Sequence, residues 1–61
     1  MTETERLARL RHDLANPLGA LLAEVQLLLE EAEGRLDPEA LASLREIESL
    51  ALKLRAILRE T

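Results

Sequence analysis

Apolar residues recur at helical spacing in two long stretches of this chain, separated by a short polar break. In the first stretch Leu7, Leu14, Leu21 and Leu28 fall in one seam at ~100° per residue, flanked by Leu10, Leu18 and Val25. Thr2 followed by Glu5 fits a capping box and places the helix start near Glu3. The pattern persists to Ala32 or Glu33, where Gly34 offers a left-handed stop. Asp37 then reads as an N-cap, with Pro38 at the first helical position, where a missing N–H costs nothing. Beyond it Leu41, Leu44, Ile47, Ala51, Leu54 and Leu58 form a second stripe, widened by Leu50 and Ile57. The spacing predicts helix 1 over about 3–33, a turn at 34–37 and helix 2 over about 38–59.

So short a connection makes the helices antiparallel neighbours. Their stripes are too wide to cover each other, since Leu22 and Leu29 on helix 1 and Leu50 and Ile57 on helix 2 fall beyond a narrow seam. Pairing two hairpins would bury these faces. The expected fold is therefore all-α: an antiparallel two-helix hairpin forming a homodimeric four-helix bundle, one domain over 1–61. Leu7, Leu14, Leu21, Leu28, Leu44, Ile47, Ala51, Leu54 and Leu58 are its expected core.

Composition narrows the function. Sixty-one residues lie below the size at which a single core is comfortably stabilising, and there is no cysteine to staple the fold or bind a metal as thiolate. Aromatic residues are absent, which removes stacking platforms for bases and most cofactor pockets. A net charge of −4 argues against a nucleic-acid partner. No apolar run approaches the ~18 residues of a membrane span, and no signal peptide is visible. The expectation is a cytoplasmic segment without membrane contact of its own, whose parent protein could still be membrane-anchored.

One stretch departs from this plain helical pattern. His12-Asp13-Leu14-Ala15-Asn16-Pro17-Leu18 holds the only histidine and a proline inside the helix, where proline costs about 3 kcal/mol. Because the leucine phase continues on both sides of Pro17, the helix is expected to bend there rather than stop, with Gly19 adding softness. His12 lies roughly 140° from the leucine seam, and Asn16 lies roughly opposite it, on the same outer face. Ala8, Ala15 and Gly19 leave that side uncrowded. Arg6, Arg9 and Arg11 precede the histidine, read either as a solvated face or as help in holding an incoming phosphate. Ser43 and Ser49 make poor hydrolase nucleophiles in a chain with one distant histidine, and no second histidine lies one turn from His12 to share a metal.

The string Leu10-Arg11-His12-Asp13-Leu14-Ala15-Asn16-Pro17-Leu18 resembles the H-box of sensor histidine kinases, which lies on the first helix of their dimerisation and histidine-phosphotransfer domain. That pattern is His, an acidic residue, an apolar one, a variable one, Asn or Thr, Pro, then Leu, and every position matches. Leu21, Leu22, Glu24, Leu27 and Leu28 also look like that domain's first helix, while helix 2 is only compatible with it.

The resemblance implies a phosphoacceptor role for His12, with the phosphoryl group coming from ATP and passing to an aspartate on a response-regulator receiver. It implies that Asp13 orients and deprotonates the ring, with a salt bridge to Arg9 as the plainer alternative. It gives Asn16 the task of assisting phosphate removal from the receiver, against a purely structural role at the Pro17 bend. The partners implied are a second copy of the chain, an ATP-binding kinase domain and the receiver. No cofactor is expected in this chain, because ATP and Mg belong to the kinase domain, and the sequence lacks any Gly-rich phosphate loop. The chain is thus expected to be either an excised domain or a stand-alone phosphotransfer protein, without kinase activity alone. A hairpin that only dimerises is the remaining alternative, and it leaves the clustered His12, Asp13, Asn16 and Pro17 without a purpose.

Overall fold

A computed structural model describes residues 1–32 and 34–60. Two helices, α1 (Glu3–Glu31) and α2 (Pro38–Glu60), account for nearly all of them. They lie side by side as an elongated hairpin of 50 × 15 × 11 Å.

Each boundary has a local chemical cause. At the start of α1 the Glu5 N–H donates to Thr2 Oγ1 at 3.1 Å, and the Thr2 N–H donates back to Glu5 Oε1 at 3.4 Å. This reciprocal box satisfies two backbone donors that the first turn leaves open. α1 ends at Glu31, with Ala32 as its cap donating to the Leu28 carbonyl at 2.9 Å. The alternative end at Glu33 lies outside the described residues. Gly34 has φ +78°, the left-handed conformation that glycine adopts without steric cost, and Arg35 N–H then closes back on the Ala32 carbonyl at 2.8 Å. α2 opens as expected: Asp37 Oδ1 accepts from the Ala40 N–H at 2.8 Å, and Pro38 occupies the first helical position.

α1 runs without interruption through Pro17. The carbonyl four residues earlier belongs to Asp13 and loses its usual partner, yet neighbouring turns hold the helix together on both sides.

Within one hairpin the packing uses a different edge of α1 from the seam expected to be buried in the dimeric bundle. Leu18, Leu22, Val25 and Ala51 are buried, with Leu29, Leu44 and Leu58 half-buried beside them. Leu22, expected outside a narrow seam, is the least exposed residue of this set at 3%. Leu7 and Leu14, expected within the seam, are 55% and 48% exposed in the single hairpin, and Leu21 and Leu28 are similar. Ile47 and Leu54 of the expected α2 set are also exposed, as are Leu50 and Ile57. The reason is the width of the α1 stripe, which one partner helix cannot span. α2 settles on its Leu18–Leu22–Val25–Leu29 edge, spaced at i, i+4, i+7 and i+11, and leaves the Leu7–Leu14–Leu21–Leu28 edge uncovered.

The two helices therefore expose one continuous apolar face. By helical phase, the uncovered leucines of α1 and Ile47, Leu50, Leu54 and Ile57 of α2 are rotated to the same side of the hairpin seam, by roughly 30–90° on α1 and roughly 50–130° on α2. A groove lined by Leu7, Leu10, Leu14 and Leu58 crosses between the helices on that side.

The two glycines should respond to alanine in opposite directions. A Cβ at either would meet nothing within 4 Å, so only backbone conformation decides. Gly19→Ala lies in a helix interior and should stabilise by about 0.5–1 kcal/mol, whereas Gly34→Ala must hold a positive φ and should destabilise by about 1 kcal/mol. Thermal melts followed by circular dichroism check both signs. Leu22→Ala should cost about 2–3 kcal/mol by the same measurement, because it empties the most enclosed position of the seam.

Candidate functional site

The helical phase of α1 puts His12 on the side of the hairpin away from the leucine face. Its side chain is 74% exposed, and that of Asp13 is 64% exposed. His12 Nδ1 stands 3.8 Å from Asp13 Oδ1. This is longer than a hydrogen bond, and a side-chain adjustment of about 1 Å would close it. Adjacent helical residues diverge by ~100°, so the approach depends on both side chains turning toward each other rather than on helix geometry alone.

The direction of that approach has chemical content. A carboxylate at Nδ1 favours the tautomer with its proton on that nitrogen, leaving the Nε2 lone pair directed outward as the nucleophile. Among the described residues this is the one approach of a basic side chain to a carboxylate within 4.0 Å, and it is an ion pair only when the imidazole is protonated. The Arg9–Asp13 salt bridge considered from the sequence does not form. Asp13 is thus directed at the imidazole instead of being neutralised by an arginine.

Asn16 and Pro17 are exposed one turn further along α1. Asn16 shares the outer side with His12 at the i, i+4 spacing, so its carboxamide reaches the same solvent region. Gly19 and Ala15 add no bulk between them and the approach from solvent.

Of the three arginines before the histidine, the structure singles out Arg11. Arg6 and Arg9 point to solvent, whereas Arg11 is half-buried where the two helices meet. There it lines a groove of about 290 Å³ with Ala15, Arg55, Leu58 and Arg59. Sequence reasoning missed Arg55 and Arg59, because only the hairpin register brings the end of α2 back alongside Arg11. An Arg–x–x–x–Arg repeat on one helical face was the one available signal.

Among the described residues no group of three or more His, Cys, Asp and Glu side chains converges as a metal ion would require. None of the described helices is long and apolar enough to cross a membrane.

Comparison with protein-family models, with curated proteins and with solved structures gives no match. The functional reading accordingly rests on the residues of the His12–Leu18 string and their geometry.

If Asp13 orients the ring, Asp13→Asn should slow phosphorylation of His12 by a small-molecule phosphoryl donor by about tenfold or more while leaving helicity unchanged. Single-turnover labelling followed by mass spectrometry measures this. An unchanged rate would reduce Asp13 to a bystander.

Proposed function

We propose that this chain is the phosphoacceptor and dimerisation module of a two-component histidine kinase system. The observation that carries the reading is the exposed His12 imidazole with the Asp13 carboxylate 3.8 Å from Nδ1, set within a complete His-Asp-Leu-Ala-Asn-Pro-Leu string on a helix that tolerates its proline.

In this reading His12 Nε2 attacks the γ-phosphorus of ATP held by a separate catalytic domain. The new P–N bond forms as the bond to the ADP oxygen breaks, and Asp13 takes the Nδ1 proton and releases it to water. A receiver aspartate later attacks the same phosphorus, and the P–N bond breaks with reprotonation of the ring. An acceptor for both reactions must be reachable from solvent, which the exposure of His12 allows. Asn16 stands one turn away, where a carboxamide can donate to one group while accepting from a water aimed at the receiver's phosphoaspartate.

Dimerisation occupies the opposite side. The exposed Leu7, Leu10, Leu14, Leu21 and Leu28 together with Ile47, Leu50, Leu54 and Ile57 form a face large enough to be an aggregation hazard if left open. A second hairpin laid on this face completes a four-helix bundle and leaves His12 outward on each protomer. The same face favours a second reading, a hairpin that dimerises without phosphotransfer, and labelling separates the two.

With a cognate ATP-binding domain and ATP supplied, His12 should be the sole labelled residue. His12→Gln should abolish labelling, while light scattering still reports twice the chain mass for that variant. Label on His12→Gln, or full helicity in a persistent monomer, would overturn the corresponding half of the reading. Asn16→Ala should slow dephosphorylation of the receiver far more than transfer from His12, measured as two separate rates. Equal losses in both would assign Asn16 a structural role.

A further inference from the structure

The groove at the open end of the hairpin combines features that the proposed transfer chemistry does not by itself require. Arg11 from α1 and Arg55 and Arg59 from α2 line it, with Ala15 as a small floor and Leu58 as an apolar wall. Arg11 and Arg55 are half-buried, so their apolar stems pack at the seam between the helices while Arg59 is exposed beside them. Among the described residues no carboxylate comes within 4.0 Å of any of the three, although acidic residues outnumber basic ones in the chain. Three cations lining one groove without a counter-charge within 4.0 Å favour an anion there over a cation or a neutral group. The opening of about 290 Å³ suits a small anion, and guanidinium forks match the oxygens of a tetrahedral oxyanion.

Its position relative to the histidine gives the groove a purpose. Ala15 is three residues after His12 and Arg11 immediately precedes it, so the groove opens on the side of α1 next to the imidazole. The groove also lies across the hairpin seam from the leucine face, and a second hairpin docked on those leucines would leave it open.

We propose that Arg11, Arg55 and Arg59 form a binding site for a tetrahedral oxyanion, occupied by the phosphoryl group once it is carried by His12 and by free phosphate otherwise. The first half of this statement rests on the phosphoacceptor reading of His12; the second half does not. Occupation by the phosphoryl group holds α2 against the phosphorylated segment of α1, so that the phosphorylation state is sensed at the seam between the helices.

The test uses the whole chain and follows the arginine side-chain N–H signals by NMR. Titration with inorganic phosphate should shift the signals of Arg11, Arg55 and Arg59 in the wild type and equally in His12→Gln. The double variant Arg55→Gln/Arg59→Gln should bind phosphate about tenfold or more weakly. Arg11→Gln provides the same comparison from the other helix if the double variant loses helicity. Phosphoramidate then supplies the other source: a His12 nitrogen attacks phosphorus, the P–N bond to the leaving ammonia breaks, and the ring proton departs with it. The phosphorylated chain should show the three arginine signals already displaced and little further response to added phosphate.

No response of the wild type to millimolar phosphate, or an equal response in the double variant, would overturn the site. Arginine signals unmoved by phosphorylation of His12 would overturn its link to the histidine. Phosphate binding in a chain whose His12 resists phosphoramidate would uphold the groove and sink the phosphoacceptor reading.

Discussion

Everything in this molecule depends on how little of its apolar surface one hairpin can hide. A helix presents a stripe to each neighbour, and a single antiparallel partner covers roughly one edge of a stripe more than 100° wide. Here that edge is Leu18 and Leu22 against Ala51 and Leu58, with Val25 buried further along α1. The small Ala51 at the contact lets the two helices approach closely, while the leucines around it close the seam. Four buried side chains cannot offset the conformational entropy of ordering two helices of this length. The remaining leucines and isoleucines are therefore not a surplus: they are the larger share of the hydrophobic free energy the chain has to offer, and the proposed second hairpin is what would realise it.

That division of labour sorts the surface into two sides. The apolar side is the one assigned to the second hairpin in the proposed bundle, and its burial would be indifferent to the chemistry of any one polar group. The other side carries the exposed His12, Asp13 and Asn16 and the groove of Arg11, Arg55 and Arg59. Only Arg11 and Leu58 take part in the grooves of both sides, because they sit on the seam itself. A seam of this kind mechanically couples the two sides, since any shift of α2 along α1 moves Arg55 and Arg59 relative to His12.

Much of this was legible in the residues themselves. The caps at Thr2, Gly34 and Asp37 are short-range devices whose geometry is set within four residues, and each appears where the sequence places it. The continuity of α1 through Pro17 followed from leucine phase, a property of many residues outweighing the bias of one. What periodicity could not decide was which edge of the α1 stripe meets α2. Leu14 and Leu18 are equally apolar and one turn apart, and the choice between them is made by the rotation of α1 about its axis, which depends on α2 and on the turn. The same limit hid Arg55 and Arg59, whose meeting with Arg11 is a matter of register across the hairpin. His12 and Asn16 could be placed on a solvent side from phase alone, but the approach of Asp13 to His12, in preference to Arg9, depends on rotamers that no spacing rule encodes.

Charge is distributed along the hairpin as unevenly as hydrophobicity is around it. Toward the turn Glu24, Glu30, Glu31, Asp37, Glu39, Glu46 and Glu48 outnumber Arg35 and Arg45, while toward the open end Arg6, Arg9, Arg11, Lys53, Arg55 and Arg59 outnumber Glu3, Glu5, Asp13 and Glu60. Electrostatics alone would pair two hairpins head to tail, setting acidic ends against basic ones. The apolar face favours the other arrangement. Its residues thin out toward the turn, where Glu24, Glu31 and Ser43 interrupt the helical rows, so a head-to-tail partner would set Leu7, Leu10 and Leu14 against charged positions. Magnitudes decide between them. Exposed charges separated by more than the ~8 Å screening length contribute fractions of a kcal/mol each, whereas every large apolar side chain fully removed from water contributes about 1.5–3 kcal/mol. In the proposed bundle the leucines therefore align in parallel, the arginine grooves of both protomers stand at the same end, and the acidic turns face each other at the other. On the proposed phosphoacceptor reading, the basic end of that proposed bundle would be the one to receive an anionic phosphoryl group, and the like-charged turns would leave the far end the more weakly held part.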